Sequence, residues 1–334
     1  MARLLEERCG SLLKALGLMS GSDSPTVKPL SGGVASDIAK VSVNGDVYCV
    51  KFALPKLRVR ADWFAPVERN LAEYRWLQTV GEIVPAAAIR LYGHSAEEHG
   101  FVMEYLSSPD SYLLKAVLLD GGGQVSDAAA IGDLIGRVHS HSAAASFDRE
   151  PFRNRDDFHA IRIEPYLLHT ADAHPGLRTA IHAMADHLYE AKDVLIHGDV
   201  SPKNIIMNAG QPYILDAECA TMGDPCFDVA FCLNHFVLKS IHVRSRSVDY
   251  LEFCTAFWNS YAQSVTWEAT NNLESRVARL LPMLMLGRVD GKSPVEYLSD
   301  QNRDLVRGLA TDLISNPRPN IFRLLSFIRG EIAP

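Results

Sequence analysis

Three short apolar segments follow one another in the sequence LIHGDVSPKNIIMNAGQPYILDAE, which occupies residues 195–218. Their lengths and the turn sequence NAGQ predict strands at 193–197, 204–207 and 212–216, the last two joined as a hairpin. A polar residue that adds nothing to an apolar core borders each of these strands. The segment therefore predicts a set of strand ends that carry polar side chains for a functional reason.

The polar residues at these strand ends are Asp199, Asn204 and Asp216. If the last two strands pair, Asn204 and Asp216 come near one another at the open end of the hairpin. Their amide and carboxylate oxygens suit Mg²⁺, whereas Asp199 can orient a hydroxyl group and accept its proton. A base and a metal clamp are the parts that phosphoryl transfer requires. The alternative is that all three are ordinary turn residues.

The sequence before this segment is typical of a small sheet. Residues 27–53 alternate like strands around a glycine pair and the dipeptide Asn44-Gly45, the strongest short hairpin signal. An apolar stripe predicts a helix at 66–79, with Pro66 in its first turn. Two further strands are predicted at 88–93 and 100–106.

The pattern becomes mostly helical after the loop at 107–111. Amphipathic helices are predicted from Ser126 and at 177–191, and the tail beyond 245 has the same character. The fold class is therefore α+β, with two lobes. We predict a β-rich N-terminal lobe at 1–106 and a mainly helical C-terminal lobe at 107–334; clefts between such domains commonly bind ligands.

Composition excludes several classes of protein. The 334 residues carry a formal net charge of −7, which argues against a nucleic-acid-binding surface because that requires a basic patch. No segment has the ~18 consecutive apolar residues that span a bilayer, and the first residues lack the apolar core of a secretory signal. The six cysteines show no CxxC spacing, as expected of free thiols in a reducing compartment. We expect a cytoplasmic protein with no nucleic-acid or membrane partner.

A helix that is apolar almost all round follows Asp224 and Pro225, which are a typical helix cap and first-turn residue. Asp228 lies in this helix, which should be buried. A buried carboxylate needs hydrogen-bond donors, because otherwise its burial costs several kcal/mol. We predict that Asp228 accepts hydrogen bonds from the backbone around His197–Asp199 and has a scaffolding role.

Several motifs together resemble one known family. HGDVSPKN at 197–204, ILDAE at 214–218 and GDPCFDVA at 223–230 look like the aminoglycoside phosphotransferase and choline kinase superfamily, whose fold is similar to that of protein kinases. Gly198 stands where protein kinases usually have Arg, a departure that points to small-molecule substrates. The resemblance implies that Asp199 is catalytic and that Asn204 and Asp216 hold Mg²⁺. Glu218 is a further metal ligand, or faces the substrate, or forms a local salt bridge.

The resemblance also implies an ATP site in the N-terminal lobe. Its phosphate loop at 31–36 contains three candidate contacts, Gly32, Gly33 and Ser36. Lys51 resembles the strand lysine that contacts ATP phosphates, with Glu73 as its predicted partner and Glu68 as the less favoured one. FVMEYL at 101–106 resembles the hinge that holds adenine through backbone groups. Met103 and Tyr105 are its candidate contacts.

One branch of the superfamily matches residues 50–73 more closely. VKFALPKLRVRADWFAPVERNLAE is similar to the corresponding segment of methylthioribose kinases, which phosphorylate a thio-pentose and also carry Asp-x-Glu, here Asp216 and Glu218. Those enzymes usually lack an equivalent of Asn204 and differ at Gly223-Asp224-Pro225. A homodimer is plausible from the same resemblance.

We therefore predict an ATP- and Mg²⁺-dependent kinase that phosphorylates a hydroxyl group of a small molecule, such as a sugar or an amino alcohol. Aminoglycoside or other antibiotic kinases and hydroxy-acyl kinases are alternatives on the same fold. A pseudokinase-type binding module and a metal-dependent phosphohydrolase are rivals from other classes.

Three further patterns have ordinary interpretations. The segment 287–293 resembles a P-loop but has three residues between its glycines instead of four. His139 and His141 lie on different faces of a helix, which does not favour a zinc site. Asp156, Asp157 and Glu164 would suit a cationic acceptor but are read as surface charges.

Overall fold

The structure is a computed structural model that describes residues 4–30, 36–56, 58 and 66–332. The chain divides into two compact units, Met1–Pro109 and Asp110–Pro334. Within the described ranges, no helix combines the length and the apolar character needed to cross a membrane.

The first unit contains an antiparallel five-stranded sheet in the order β1-β2-β3-β5-β4. Its strands are β1 (Thr26–Pro29), β2 (Ser36–Val43), β3 (Asp46–Ala53), β4 (Leu91–Ser95) and β5 (Gly100–Glu104). Its helices are α1 (Leu5–Ala15), α2 (Arg69–Ile83) and a short 3-10 helix, Pro85–Ala87. Cys9, Leu12 and Leu13 of α1 are fully buried in a cluster that includes sheet residues such as Val41 and Val50.

The β2–β3 hairpin confirms the predicted turn. Asn44 and Gly45 have φ values of 53° and 87°, and Val43 pairs with Asp46 across them. This two-residue turn with positive φ at both positions matches the right-handed twist of paired strands. It fixes the register that places Lys51 opposite Ile38.

Two predicted elements of this unit begin later than the sequence indicates. The helix predicted at 66–79 begins at Arg69, so Pro66 precedes it. The Arg69 guanidinium explains the delay, because it donates to the carbonyl oxygens of Pro66 at 2.6 Å and Leu54 at 2.8 Å and holds the preceding turn. The strand predicted from residue 88 begins at Leu91, after the 3-10 helix Pro85–Ala87.

The second unit is mainly helical. Its α-helices are α3 (Leu114–Leu119), α4 (Val125–Ser142), α5 (Arg155–Phe158), α6 (His169–Ala173), α7 (Arg178–Glu190), α8 (Cys226–His242), α9 (Ser247–Ala262), α10 (Thr270–Asp290), α11 (Asp300–Ser315) and α12 (Ile321–Ile332). A π-helix, His159–Leu168, lies between α5 and α6. Short 3-10 helices lie at Glu150–Phe152, Pro175–Leu177, Pro202–Asn204 and Arg244–Arg246. A sheet-rich unit followed by a helical one confirms the predicted α+β class.

Two small antiparallel sheets interrupt these helices. Their strands are β6 (Ser111–Leu113), β7 (Val194–Ile196), β8 (Ile205–Asn208), β9 (Gln211–Ile214) and β10 (Thr221–Gly223). β8 and β9 form the predicted hairpin, β6 pairs with β8, and β7 pairs with β10. The strand predicted at 212–216 ends at Ile214, before Asp216. Ser111, which was predicted to end a loop, is the first residue of β6.

Helix α8 is the centre of this unit, as its all-round apolar sequence predicts. Every residue from Cys226 to Ile241 is buried. Helices α4 and α9 pack closely together at Gly132. A Cβ atom on this residue would lie only 2.3 Å from the carbonyl oxygen of Phe257, so the contact requires glycine. The segment that resembles a P-loop begins inside α10, where Gly287 packs against the backbone of Tyr166, so it does not form a phosphate-binding loop.

Candidate active site

In the first unit, Lys51 and Glu73 form a buried ion pair. Lys51 Nζ on β3 lies 2.6 Å from Glu73 Oε2 on α2, and the two residues are 2% and 1% exposed. The predicted pairing is confirmed, and the less favoured candidate, Glu68, is an exposed residue just before α2. Removing one partner of such a buried pair typically costs about 3–5 kcal/mol, so the pair fixes the position of the lysine.

The other predicted nucleotide contacts of this unit lie in different surroundings. Gly32 and Gly33 are outside the described residues. Ser36 is the first residue of β2 and is buried. Met103 is buried in β5 opposite Cys49, whereas Tyr105 follows that strand half-buried, with Lys40 Nζ 4.3 Å from the centre of its ring. Their contacts with a nucleotide stay predictions.

In the second unit, Asp199 lies between β7 and the 3-10 helix Pro202–Asn204 and is 2% exposed. Its Oδ2 accepts a hydrogen bond from Arg162 Nη2 at 2.8 Å and lies 3.0 Å from Lys203 Nζ. Its Oδ1 is buried and receives no hydrogen bond from the residues that the structure describes. One carboxylate oxygen is therefore fixed by two cations, and the other is left for a donor that binds from outside.

The charges around Asp199 keep it ionised. Burial alone would raise the pKa of Asp199, but Lys203 and Arg162 outweigh this effect and hold the pKa below its ordinary value. Attraction to Asp199 and Asp216 raises the pKa of Lys203, whose side chain is 43% exposed. At neutral pH the group is thus a carboxylate held between cations.

The backbone before Asp199 explains the glycine in the HGD sequence. Gly198 has a φ of 78°, and a Cβ atom there would lie 2.8 Å from Cys219 Sγ. Because residues with a side chain rarely adopt this conformation, glycine is required. The carbonyl oxygen of Gly198 also accepts a hydrogen bond from Arg162 Nε. The inference that glycine at position 198 indicates small-molecule substrates stays a prediction.

His197 connects this loop to the β8–β9 hairpin. Its Nδ1 accepts a hydrogen bond from the Asp199 backbone N–H at 3.0 Å, so its Nε2 carries the proton donated to the Leu215 carbonyl oxygen at 3.1 Å. Burial lowers the pKa of His197, which favours this neutral form. The imidazole therefore fixes Asp199 relative to the end of the hairpin.

Asp228 supports the same loop from α8, as predicted. Its Oδ2 accepts from the His197 backbone N–H at 2.6 Å, and its Oδ1 accepts from that of Gly198 at 2.8 Å. His139 Nε2 lies 3.3 Å from Oδ2, and Tyr261 Oη lies 3.0 Å from His139 Nδ1. His139, one of the two histidines considered for a zinc site, is part of this network.

The two predicted metal ligands border the open end of the hairpin. The Asn204 carbonyl oxygen accepts from the Leu215 backbone N–H at 2.8 Å, which extends the strand pairing to the residue before Asp216. Asn204 Nδ2 donates to the Asp199 carbonyl oxygen at 3.1 Å, which leaves its amide oxygen for another ligand. An amide and a carboxylate oxygen form a donor set that fits Mg²⁺. Their assignment as ligands stays a prediction.

The predicted geometry of Glu218 is wrong. The sequence places it two residues beyond Asp216 on one strand, but β9 ends at Ile214, and Asp216 has a left-handed φ of 69°. This conformation ends the strand, and Glu218 is buried in the turn that follows. The period-two argument for a shared face therefore does not apply.

Sequence reasoning missed Arg162. It lies on the π-helix His159–Leu168, which carries Pro165 inside it, and neither the element nor its register has a recognisable periodic signal. Two of its guanidinium nitrogens bind Gly198 and Asp199. Arg162 and Asp199 are 37 positions apart in the sequence, so only the folded chain reveals the contact.

The residues considered for a cationic acceptor are engaged elsewhere. Asp156 is exposed and accepts a hydrogen bond from Tyr189 Oη, and Glu164 pairs with Lys292. Asp224 Oδ1 accepts a hydrogen bond from the Cys226 backbone N–H at 2.7 Å. Because α8 begins at Cys226, Pro225 is at the N-cap position and not in the first turn, where it was predicted.

Comparisons with known proteins identify the family of the chain. The model of the phosphotransferase enzyme family matches residues 26–256. Methylthioribose kinases from Citrobacter koseri and Cronobacter sakazakii are each 23% identical over 218 residues, which cover 57% of this chain and 54% of each kinase. The chain thus spans about half the length of these curated relatives.

Solved structures show the fold. An amicoumacin kinase in complex with AMP-PNP and Ca²⁺ is 13% identical, with a TM-score of 0.57 over 98% of this chain and all of that one. A choline/ethanolamine kinase family protein from Mesorhizobium loti is 15% identical, with a TM-score of 0.54 and the same coverage. These similarities confirm the predicted kinase-like fold. Because the family model covers well over half of its residues, the chain belongs to the phosphotransferase enzyme family.

Proposed function

We propose that the protein is an ATP-dependent kinase that transfers the γ-phosphoryl group of ATP to a hydroxyl group of a small molecule. The observation that carries this proposal is the state of Asp199, whose Oδ2 is held by Arg162 and Lys203 while its buried Oδ1 has no partner in the described part of the chain. A hydroxyl group is the donor that completes this arrangement. A cytoplasmic location, where ATP is available, is part of the proposal.

In the reaction, Asp199 Oδ1 accepts a hydrogen bond from the acceptor hydroxyl and orients its oxygen toward the γ-phosphorus. As the new P–O bond forms, the bond to the leaving ADP oxygen breaks and the hydroxyl proton passes to Asp199. Because neighbouring cations lower the pKa of Asp199, it is a weak base. Its main contribution is therefore to position the hydroxyl, and proton transfer accompanies the late part of the step.

Lys51 is proposed to bind the phosphates of ATP, with Glu73 holding its ammonium group in place. The glycine loop with Gly32, Gly33 and Ser36 and the hinge with Met103 and Tyr105 are proposed to hold the remainder of the nucleotide. The AMP-PNP bound in the amicoumacin kinase, which shares the fold, supports the use of a nucleotide. A phosphohydrolase, which does not use ATP, would not require the buried Lys51–Glu73 ion pair.

Mg²⁺, which Asn204 and Asp216 would hold, supplies charge neutralisation on the phosphates. In this proposal Asn204 also has a structural part, because its side chain donates to the backbone of Asp199. Glu218 is a further candidate for the same ion.

Methylthioribose is one acceptor to test, because both curated relatives are methylthioribose kinases. Sugars, amino alcohols, antibiotics and hydroxy-acyl compounds are the other classes that a fold of this kind accommodates, since fold does not determine substrate.

The test measures ADP release from ATP and Mg²⁺ with a panel of hydroxylated compounds, together with ATP binding. Asp199→Asn should lower turnover by roughly 10²–10⁴ while ATP still binds, because the amide orients the hydroxyl less well and cannot take its proton. Asp156→Asn is the matched control, because that carboxylate is exposed and accepts from Tyr189. Turnover in Asp199→Asn equal to that of the control would contradict the assignment.

The same panel separates the rival functions. Acceptor-dependent ADP release supports a kinase. Release of phosphate from esters without ATP would indicate a phosphohydrolase, and ATP binding with neither reaction would indicate a pseudokinase.

A further inference from the structure

A basic cavity adjoins Asp199 inside the unit Asp110–Pro334. The cavity is small, with a volume of about 20 Å³, and it opens to solvent at its mouth. We call it the basic cleft and define it by five of its lining side chains, Lys203, His235, Lys239, Arg288 and Tyr297. Lys203 connects the cleft to the candidate active site, because its Nζ lies 3.0 Å from Asp199 Oδ2.

Lys239 is the most unusual residue of the basic cleft. It lies on α8 and is 1% exposed, and no carboxylate among the described residues is within ion-pair distance of it. Its ammonium group lies over the face of the Tyr297 ring, 5.1 Å from the ring centre. Burial, with repulsion from Lys115 and Arg288, lowers the pKa of Lys239 to about 7. A buried ammonium group without a counter-ion is costly, and either loss of its proton or an anion bound beside it removes that cost.

Two further polar groups that line the cleft lack hydrogen-bond partners among the described residues. Arg288 Nη1 donates to the Ser293 carbonyl oxygen and lies 3.2 Å from Tyr166 Oη. Its Nε is buried, as is the hydroxyl oxygen of Tyr297, and neither has a hydrogen-bond partner among the described residues. Both groups can donate hydrogen bonds, and burial raises the pKa of Tyr297, which keeps its hydroxyl proton in place.

The charges of the lining do not balance. Among the described residues that line the cleft, Glu296 is the one carboxylate, and its Oε1 lies 2.5 Å from Lys115 Nζ. Lys203 is paired with Asp199. Lys239 and Arg288 therefore have no acidic partner among the described lining residues. Burial and repulsion from these cations lower the pKa of His235 well below its ordinary value. A cationic acceptor would be repelled here.

We propose that the hydroxyl acceptor is an anion, whose carboxylate or phosphate group binds in the basic cleft between Lys239, Arg288 and Tyr297 while its hydroxyl group reaches Asp199. The identification as an acceptor rests on the proposed function; the anion site itself does not. An anionic group supplies the hydrogen-bond acceptors that these donors lack and the negative charge that the two cations require.

Binding of inorganic phosphate tests the anion site without any reaction. Phosphate should raise the melting temperature of the wild-type protein and of Lys192→Met, in which an exposed lysine of the same unit is removed. In Lys239→Met and Arg288→Met its affinity should fall about 10-fold or more, the loss expected for one charge-assisted hydrogen bond. Lys239→Met should not unfold the protein, because it replaces an unpaired buried amine by an apolar side chain. Equal phosphate affinity in all four proteins would overturn the inference.

The substrate class is tested by ADP release with hydroxyl compounds matched in size, namely glycerol, glycerate, glycerol 3-phosphate and 3-amino-1,2-propanediol. Turnover should be at least about 10-fold higher with the anions than with the neutral or cationic members, and Lys239→Met should remove the difference. Turnover limited to neutral or cationic compounds would refute an anionic acceptor but leave the kinase proposal intact. Phosphate binding that depends on Lys239, with no ATP-dependent turnover of these compounds or of the wider acceptor panel, would keep the anion site and refute the kinase.

Discussion

Replacement of Asp228 tests how strongly the protein depends on the support beneath its candidate catalytic loop. The carboxylate is fully buried on α8 and accepts hydrogen bonds from the backbone N–H groups of His197 and Gly198. In Asp228→Ala both donors stay buried without an acceptor. A buried unsatisfied donor costs about 1–3 kcal/mol, so two of them should lower the free energy of unfolding by about 4 kcal/mol.

The corresponding change in melting temperature is measurable. For a unit of this size, 1 kcal/mol shifts the melting temperature by about 2–4 °C, so Asp228→Ala should melt about 8–16 °C below the wild type. Asp228→Asn keeps one acceptor oxygen of the same shape and should lose about half as much. Calorimetry with urea unfolding at neutral pH measures both variants.

Asp133→Ala is the control, because this carboxylate of α4 is 55% exposed in its side chain and pairs with Arg137 at 3.8 Å. Its removal should change the free energy of unfolding by less than about 0.5 kcal/mol. If Asp228→Ala melted within 2 °C of Asp133→Ala, on the same scale of about 2–4 °C per kcal/mol, the hydrogen bonds would not carry the stability assigned to them.

Two further predictions concern Arg162 and Asp224. Arg162→Met should lower turnover by about 10–10²-fold, because Asp199 is misplaced. It should also move the acidic limb of the pH–rate profile to higher pH, because Asp199 loses a neighbouring cation and its pKa rises. Arg162→Lys should recover part of both effects, and an unmoved acidic limb would exclude this positioning role. Burial of Asp224 is outweighed by hydrogen bonds from His187 and Arg276, which lower its pKa from 3.8 to about 2. A depressed folded pKa gives stability that is complete above the unfolded value, so about 2 kcal/mol should be lost as the pH falls from about 4 to 2. Asp224→Asn should lack this part of the acid denaturation profile measured by urea unfolding, and an identical slope in both proteins would contradict it.

The parts of the site that could be predicted are those that local sequence determines. The hairpin turn at 208–211 and the strands beside it place Asn204 near the residue before Asp216 through nearest-neighbour pairing alone. Lys51 and Glu73 could be paired because the resemblance supplied a partner, and the alternating strand and amphipathic helix carried them to positions where they meet. The error at Glu218 arose where local rules fail, since one left-handed residue, Asp216, ended the strand.

Contacts that depend on the packing of distant elements could not be predicted. Arg162, which binds Asp199, lies on a π-helix, where side-chain positions differ from those that an α-helical pattern would give. The basic cleft combines side chains of α3, α8 and α10 with those of the connecting segments 200–204 and 291–299. Periodicity indicates which face of each helix is buried but carries no information about which residues of other helices it meets.

Helix α8 nevertheless carried one signal that the sequence could have given in full. The rule that a charge on a buried helix needs a partner identified Asp228, and it applies equally to Lys239 on the same helix. In the folded protein the two charges have opposite outcomes: Asp228 receives two backbone hydrogen bonds and a histidine, whereas Lys239 receives no carboxylate from the described residues and faces Tyr297. A buried charge that the chain satisfies by itself supports the fold. A buried charge without a counter-ion from the described residues, beside a candidate catalytic carboxylate, is the basis of the proposed anionic acceptor.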